Sequence, residues 1–434
     1  MKRQKHGILR LCASAIILSL VLLLLPSCSS KSSDNAPVST AINSLCLQNS
    51  MAKSTLKGEE IKFSAVDFAR ALNVERVDSV CITQVPPKTD GSLRVGSTLL
   101  SGKQTLSAAS LSLMTFSASE AISCSEFKFT VNDLPYEMTC KLYVLDEINY
   151  APTLSSAPKT ASSVSIYENV TYFGTIPCYD ADGDETFIEI VSYPEKGILI
   201  LDDRATGAYR YLPDEDTTGK DSFVCIARDI YGNYSPSMTV SLEIKRTDSS
   251  ARFVDLLESP YHNAALCMSE NGIMSGTRVG SLLYFYPDRE ITRAEFTMMA
   301  MNAIGITEVN PTDKTVFADD GDIPENMKSF ICAAYDLGYI KGTVVDEKLC
   351  FLPQKTITRA EAAVMLSNML DSATPTYKPV FDDSEEVPAW AAPSLSSLCA
   401  MGVFMQTDNK IEPLSPLTRG DTAVILSNFI EVRK

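Results

Sequence analysis

The sequence predicts a multidomain chain, two all-β sandwiches followed by a mostly helical unit built from three copies of one repeat. Three observations carry that expectation. A short pattern recurs three times near the C-terminus. Two regions ahead of it alternate apolar and polar residues with a period of two. Before those comes an apolar stretch and then a serine-rich one.

Each repeat is centred on a four-residue turn: Thr292-Arg293-Ala294-Glu295, Thr358-Arg359-Ala360-Glu361 and Thr418-Arg419-Gly420-Asp421. An aliphatic residue precedes each turn (Ile291, Ile357, Leu417). Phe285-Tyr286-Pro287, Phe351-Leu352-Pro353 and Ile411-Glu412-Pro413 stand a few residues earlier. Behind the turn, apolar residues return at i, i+3, i+4 and i+7, as in Phe296, Met299, Ala300 and Ala303, which is one face of a helix. The turn therefore reads as a helix start. Thr292, Thr358 and Thr418 are the N-caps, and Glu295 and Glu361 reach back as partners in a capping box. Gly420-Asp421 is expected to spoil the third start. An arginine at the first helical position is a cation at the positive end of a dipole. Its recurrence is explained by an anion shared with free helix N–H groups or by an ion pair to a nearby carboxylate.

A second landmark keeps step with the first. Phe253-Val254-Asp255, Phe317-Ala318-Asp319 and Phe381-Asp382-Asp383 stand 64 residues apart, and a shorter helical segment closing on Gly272, Gly338 or Gly402 follows each. A fixed period of this length marks units that cannot bury their apolar faces alone.

In order, Phe-x-Asp, a short helix, Gly-x-x-x-Gly, Phe-x-Pro and Ile-Thr-Arg-Ala-Glu resemble the surface-layer homology (SLH) repeat, which holds proteins non-covalently on bacterial cell walls. The resemblance places repeats at 253–308, 317–372 and 381–434. It implies a bundle with pseudo-threefold symmetry whose grooves bind an acidic, pyruvylated secondary wall polysaccharide. It further implies that Asp255, Arg293, Asp319, Arg359, Asp383, Trp390 and Arg419 form those grooves. No copy is complete. Trp390, the only tryptophan, has Pro260 and Asn326 at its position in the other repeats, and Gln406 replaces the second glycine (Gly276, Gly342) in the third.

Residues 51–148 and 152–246 read as short strands separated by turn residues. Glu60-Ile61-Lys62-Phe63-Ser64 and Phe127-Lys128-Phe129-Thr130-Val131 show the alternation in the first, Phe187-Ile188-Glu189-Ile190 and Gly197-Ile198-Leu199-Ile200-Leu201 in the second. The regions also correspond, Pro86 to Leu93 with Pro194 to Leu199, and Ser125-Glu126-Phe127 with Asp221-Ser222-Phe223, so they read as two copies of one sandwich. The second copy resembles the cadherin-like or Ig-like tandem repeats of bacterial surface proteins. Asp180-Ala181-Asp182-Gly183-Asp184, Lys196-Gly197-x-Leu199, Asp221-Ser222-Phe223 and Asp229-x-x-Gly232-Asn233 carry that resemblance, and Asn149-Tyr150-Ala151-Pro152 is its junction. Asp180, Asp182 and Asp184 around Gly183, with Asp229 as the distant partner, are candidate calcium ligands, since several oxygens can converge there on one hard cation.

Residues 1–27 read as a lipoprotein-type signal peptide: a basic start, an apolar run from Leu11 to Leu25 too short to span a bilayer, then Cys28 after a small residue. Cys28 is the expected lipidated residue and hence a membrane anchor, with ordinary cleavage nearby as the alternative. Residues 28–50 form a serine-rich tether.

The formal charge is −16, and −20 once the first 27 residues, with four cations and no acids, are removed. Such a surface argues against nucleic acid. His6 is lost with the signal peptide, His262 has no cysteine or acid at ligand spacing, and no nucleophile elbow, phosphate loop or dinucleotide fingerprint occurs. No enzymatic activity and no organic cofactor are expected. Cys124 with Cys140, or Cys178 with Cys225, can pair in an oxidising compartment, and no bridge is singled out. The sequence thus points to a cell-envelope protein gripping wall polysaccharide, with the sandwiches as spacers. The alternative is an adhesin or ligand-binding protein whose activity lies in residues 51–246.

Overall fold

The computed structural model describes residues 50–433, except 73, 133, 135, 155–163, 248–251, 313, 371–380 and 406–409. The signal peptide, Cys28, most of the tether and Gln406 lie outside the described residues. No helix among the described residues is long and apolar enough to cross a membrane.

Residues 50–145 form two sheets. One runs in the order Ser50–Leu56, Met138–Leu145, Cys124–Val131, Ser79–Gln84, Gln104–Ser107, the other Glu60–Lys62, Met114–Ala118, Gly91–Val95, Thr98–Leu99. The period-two residues of both sheets, among them Ile61, Leu93, Phe116, Phe127 and Phe129, share one buried core. Residues 153–245 repeat the theme, with Val164–Tyr167, Met238–Lys245, Gly219–Asp229 and Thr186–Ser192 in one sheet and Tyr172–Thr175, Ala208–Pro213 and Gly197–Asp203 in another. In both regions the first strand of the larger sheet runs parallel to the last strand, and the last strand pairs antiparallel with the one before it. The matched motifs take matched places. Gly91 and Gly197 each open a strand, and Leu93 and Leu199 are buried two residues on.

Alternation did not foretell the helix at Ala65–Leu72 (α1). Asp67 organises its start, accepting from the Ser64 N–H at 2.8 Å and from the Ser64 hydroxyl at 3.0 Å. The Asp221 motif has a structural explanation. Its carboxylate accepts from the Glu195 and Lys196 N–H groups and from the Tyr211 hydroxyl, clamping the Lys196-Gly197 strand start.

The C-terminal region contributes two helices per repeat: His262–Glu270 (α2) and Arg293–Ala303 (α3), Glu325–Asp336 (α4) and Arg359–Asn368 (α5), Ala392–Ala400 (α6) and Arg419–Arg433 (α7). The second helix of each repeat packs against the first helix of the next, α3 on α4, α5 on α6, and α7 back on α2. The apolar stripes enter one continuous core. Tyr167 and Val170 of the second β region join that same core. Asn263 on α2 fixes the contact, accepting from the Tyr167 N–H at 3.0 Å and donating to the Ser165 carbonyl at 3.1 Å. The boundary expected near residue 250 is therefore a packed joint.

Candidate functional site

The three helix starts meet. Ile291 N–H donates to the Leu417 carbonyl, Leu417 N–H to Ile357, and Ile357 N–H to Ile291, closing a ring of 2.9, 2.9 and 3.1 Å bonds among fully buried residues. Around this ring each helix start is plugged into the Pro-containing loop of the next repeat. Arg293 N–H donates to Lys355 O and Ala294 N–H to Pro353 O. Arg359 and Ala360 do the same to Ser415 and Pro413, and Arg419 and Gly420 to Arg289 and Pro287.

The capping boxes at Thr292/Glu295 and Thr358/Glu361 are both present. The third start is corrected by the structure. Asp421 reaches the Thr418 N–H at 3.1 Å and its own N–H reaches the Thr418 hydroxyl at 3.1 Å, so the shorter acid still closes the cap. Gly420 has a packing reason. A Cβ there would stand 2.7 Å from the Tyr261 ring, whereas alanine fits at the same step of the other repeats. Gly420→Ala should therefore cost about 1–3 kcal/mol by overpacking, and Tyr261→Ala in the same chain should return much of it. Urea denaturation of the two singles and the double measures this, and strictly additive losses would sink the explanation.

The arginines lie across the seams. Arg293 Nε and Nη2 donate to the carbonyls of Phe351 (3.0 Å) and Lys341 (3.2 Å), Arg359 to Ile411 (2.7 Å) and Met405 (2.8 Å), and Arg419 to Phe285 (2.8 Å) and Ser275 (2.9 Å). Each guanidinium also lies over an aromatic ring: Phe351 at 5.2 Å, Phe404 at 5.5 Å and Phe285 at 4.7 Å. Burial lowers the pKa of Arg293 and Arg419. The expectation that these arginines sit beside free helix N–H groups is overturned, because the loop of the next repeat has taken those donors. What remains for a ligand is Nη1, which makes no hydrogen bond to a described residue.

The aspartates of Phe-x-Asp turn inward. Asp255 accepts from the N–H groups of Phe285 (2.8 Å) and Tyr286 (2.7 Å), Asp319 from Phe351 (2.8 Å) and Leu352 (2.7 Å), and Asp383 from Ile411 (3.0 Å) and Glu412 (2.7 Å). Tyr286, Leu352 and Glu412 adopt positive φ (58°, 61° and 49°), which turns consecutive N–H groups toward one carboxylate. Asp255, Asp319 and Asp383 thus tie down the loops that hold Tyr286, Leu352 and Glu412, and Asp255 and Asp319 remain half-buried. Trp390 is 58% exposed, with no ring contact among the described residues.

In the second β region Asp180, Asp184 and Asp229 bring one carboxylate oxygen each within 4.8 Å of one another. Asp180 is 7% exposed and Asp229 fully buried, and Asp180 Oδ2 has no hydrogen-bond partner. Desolvation raises the pKa of Asp184 and Asp229, and repulsion from neighbouring carboxylates adds to the rise at Asp184. Asp182 does not join them, since Oδ2 accepts from the Tyr150 N–H at 2.7 Å and from Asn149 at 3.2 Å. Two residues unassigned from sequence complete the surroundings. Asn233 bonds both oxygens of Asp229, and Asn149 bonds Asp184 and Asn233. All described cysteines are free thiols.

The S-layer homology domain model matches residues 316–363, the stretch from Phe-x-Asp to the helix start of the second repeat. This repeat is an S-layer homology domain. The chain is 28% identical over 168 residues to the Surface-layer 125 kDa protein of Lysinibacillus sphaericus, covering 35% of this chain and 14% of that protein. It is 26% identical over 154 residues to Exoglucanase XynX of Acetivibrio thermocellus, covering 34% and 13%. The matches thus span about a seventh of those relatives' length. Among solved structures, the fibronectin(III)-like modules of Clostridium thermocellum CbhA align with 46% of this chain and 94% of that one, at 18% identity and TM-score 0.22. Drosophila N-cadherin EC1-3 aligns with 47% and 64%, at 12% and 0.21. The matched repeat carries the Asp319 tie and the Thr358 cap, features that the other two repeats share.

Proposed function

We propose that this is a non-catalytic protein of the bacterial cell surface, anchored by a pseudo-threefold bundle of three S-layer homology repeats that grips an acidic, pyruvylated secondary wall polysaccharide. Two β-sandwich units serve as spacers. The observation that carries this reading is the closed ring of helix starts. It generates three seams of one bonding pattern, each with an aromatic-backed arginine whose Nη1 is left over for a carboxylate. Sedimentation of the whole chain with purified cell wall, before and after extraction of the secondary polymer, is the test. Binding lost with the polymer is expected, and equal binding to extracted wall would overturn the reading. Trp390→Ala should weaken binding by about 1 kcal/mol, roughly fivefold, with unchanged melting, because the ring stacks on the ligand and not on the protein.

A divalent cation, calcium by its all-oxygen donors, completes the proposal at Asp180, Asp184 and Asp229, with Asn149 and Asn233 around it. Buried carboxylates with one orphaned oxygen and no cationic partner support it. An N-terminal lipid on Cys28 is the second anchor, and metabolic labelling with a fatty-acid analogue should fail in Cys28→Ala.

A further inference from the structure

We propose that a cleft between the two β regions binds a carboxylate-bearing sugar of about monosaccharide size, with Arg70 as its anion receptor. This site is independent of wall binding by the repeats. The cleft has a volume of about 280 Å³ and is lined by Lys53, Ser54, Asp67, Arg70, Asn233 and Tyr234, among others. That is close to the lower end for small-ligand sites.

Charge in the cleft is unequally shared. Lys53 is paired with Asp67 at 3.0 Å, and the other Asp67 oxygen is committed to Ser64. Arg70 is exposed, and its guanidinium lies 5.0 Å from the centre of the Tyr234 ring with no acidic or carbonyl partner among the described residues. The ring holds the guanidinium by a cation–π contact and takes none of its N–H donors, so the fork is available to a carboxylate through two parallel hydrogen bonds. An uncompensated guanidinium in a chain of formal charge −16 selects an anion against the surrounding field.

The rest of the cleft suits hydroxyl groups. Ser50–Leu56 is the outer strand of its sheet, so the backbone edge it turns away from Met138–Leu145 is unpaired within that sheet. The Ser54 hydroxyl makes no hydrogen bond to a described residue. Gly232 closes one end, with φ +90°. A Cβ there would stand 2.0 Å from the Ala52 carbonyl, so only glycine lets this loop abut the strand. The two β regions together therefore make the cleft.

Isothermal titration of the whole chain with glucuronate, glucose and acetate tests the site. Glucuronate should bind saturably, with glucose and acetate each at least tenfold weaker. Arg70→Ala and Arg70→Gln should lose at least tenfold with unchanged melting, and Arg70→Lys should lose nearly as much. A polyuronate other than the wall polymer as a second titrant distinguishes the source of the sugar: loss confined to glucuronate in Arg70→Ala means a free acid, and loss for both means a polymer. No saturable glucuronate binding, equal binding of glucose or acetate, or an Arg70→Ala titration like wild type would overturn the proposal. None of these outcomes touches wall sedimentation by the repeats, which Arg70→Ala should leave intact.

Discussion

Arg359→Ala is expected to destabilise the repeat bundle by about 2–4 kcal/mol and to release the chain from cell wall. Two charge-assisted bonds to backbone carbonyls are lost, each of a kind worth about 1.5–3 kcal/mol. Water replaces the exposed one at Met405 more readily than the part-buried one at Ile411. Contact with the Phe404 ring goes as well. Lysine keeps the charge but cannot reach two carbonyls from one plane, so Arg359→Lys should recover little. The urea midpoint of the whole chain measures the first effect and wall sedimentation the second. A variant that keeps its midpoint but no longer sediments would make Arg359 a ligand contact and not a seam staple. One that loses its midpoint while binding as wild type would remove it from the polysaccharide site.

Calcium should stabilise the second β region by about 2.7 kcal/mol when present at a hundred times its dissociation constant. The reason is the set of acids at Asp180, Asp184 and Asp229, which the fold brings together with no ion pair to a lysine or arginine among the described residues. The pKa values of Asp184 and Asp229 are raised above the ordinary 3.8, first by burial. A raised carboxylate binds its proton more tightly folded than unfolded. Its stabilising contribution is therefore present at low pH and is lost as pH rises from 3.8 through the shifted value. Without metal these two groups weaken the fold near neutrality, and the calcium response should be largest there and fade on acidification as protons compete. Asp229→Asn should show no calcium response; in chelator the like charge it removes is offset by the buried acceptor that Asn233 loses. Identical melting of the wild-type chain in millimolar calcium and in chelator at pH 7 would exclude the site.

Much of this protein was legible in the residue order. Period-two alternation and the 64-residue spacing give the succession of β and helical regions, because a strand or helix must turn its apolar residues to one side wherever it packs. The caps were equally legible, since Thr292 with Glu295 and Thr358 with Glu361 act within a single turn. Even α1, which the alternation hid, has its signal in the Ser64-x-x-Asp67 spacing.

What a side chain touches across a long loop was not legible. The sequence marked Arg293, Arg359 and Arg419 as exceptional, but only the tertiary structure shows that the next repeat consumes both the helix N–H groups and two of the arginine donors. It likewise turns Asp255, Asp319 and Asp383 into loop ties, because three left-handed residues that no propensity rule would place there aim their N–H groups inward. Tyr261 decides that residue 420 is glycine although 159 residues separate them in the chain. Local chemistry within four residues was legible at Thr292 with Glu295 and Thr358 with Glu361, but not at Thr418 with Asp421, where the shorter acid still closes the cap. The seams, the acid cluster and the Arg70 cleft were decided by folding, because their partners meet only after the chain has closed on itself.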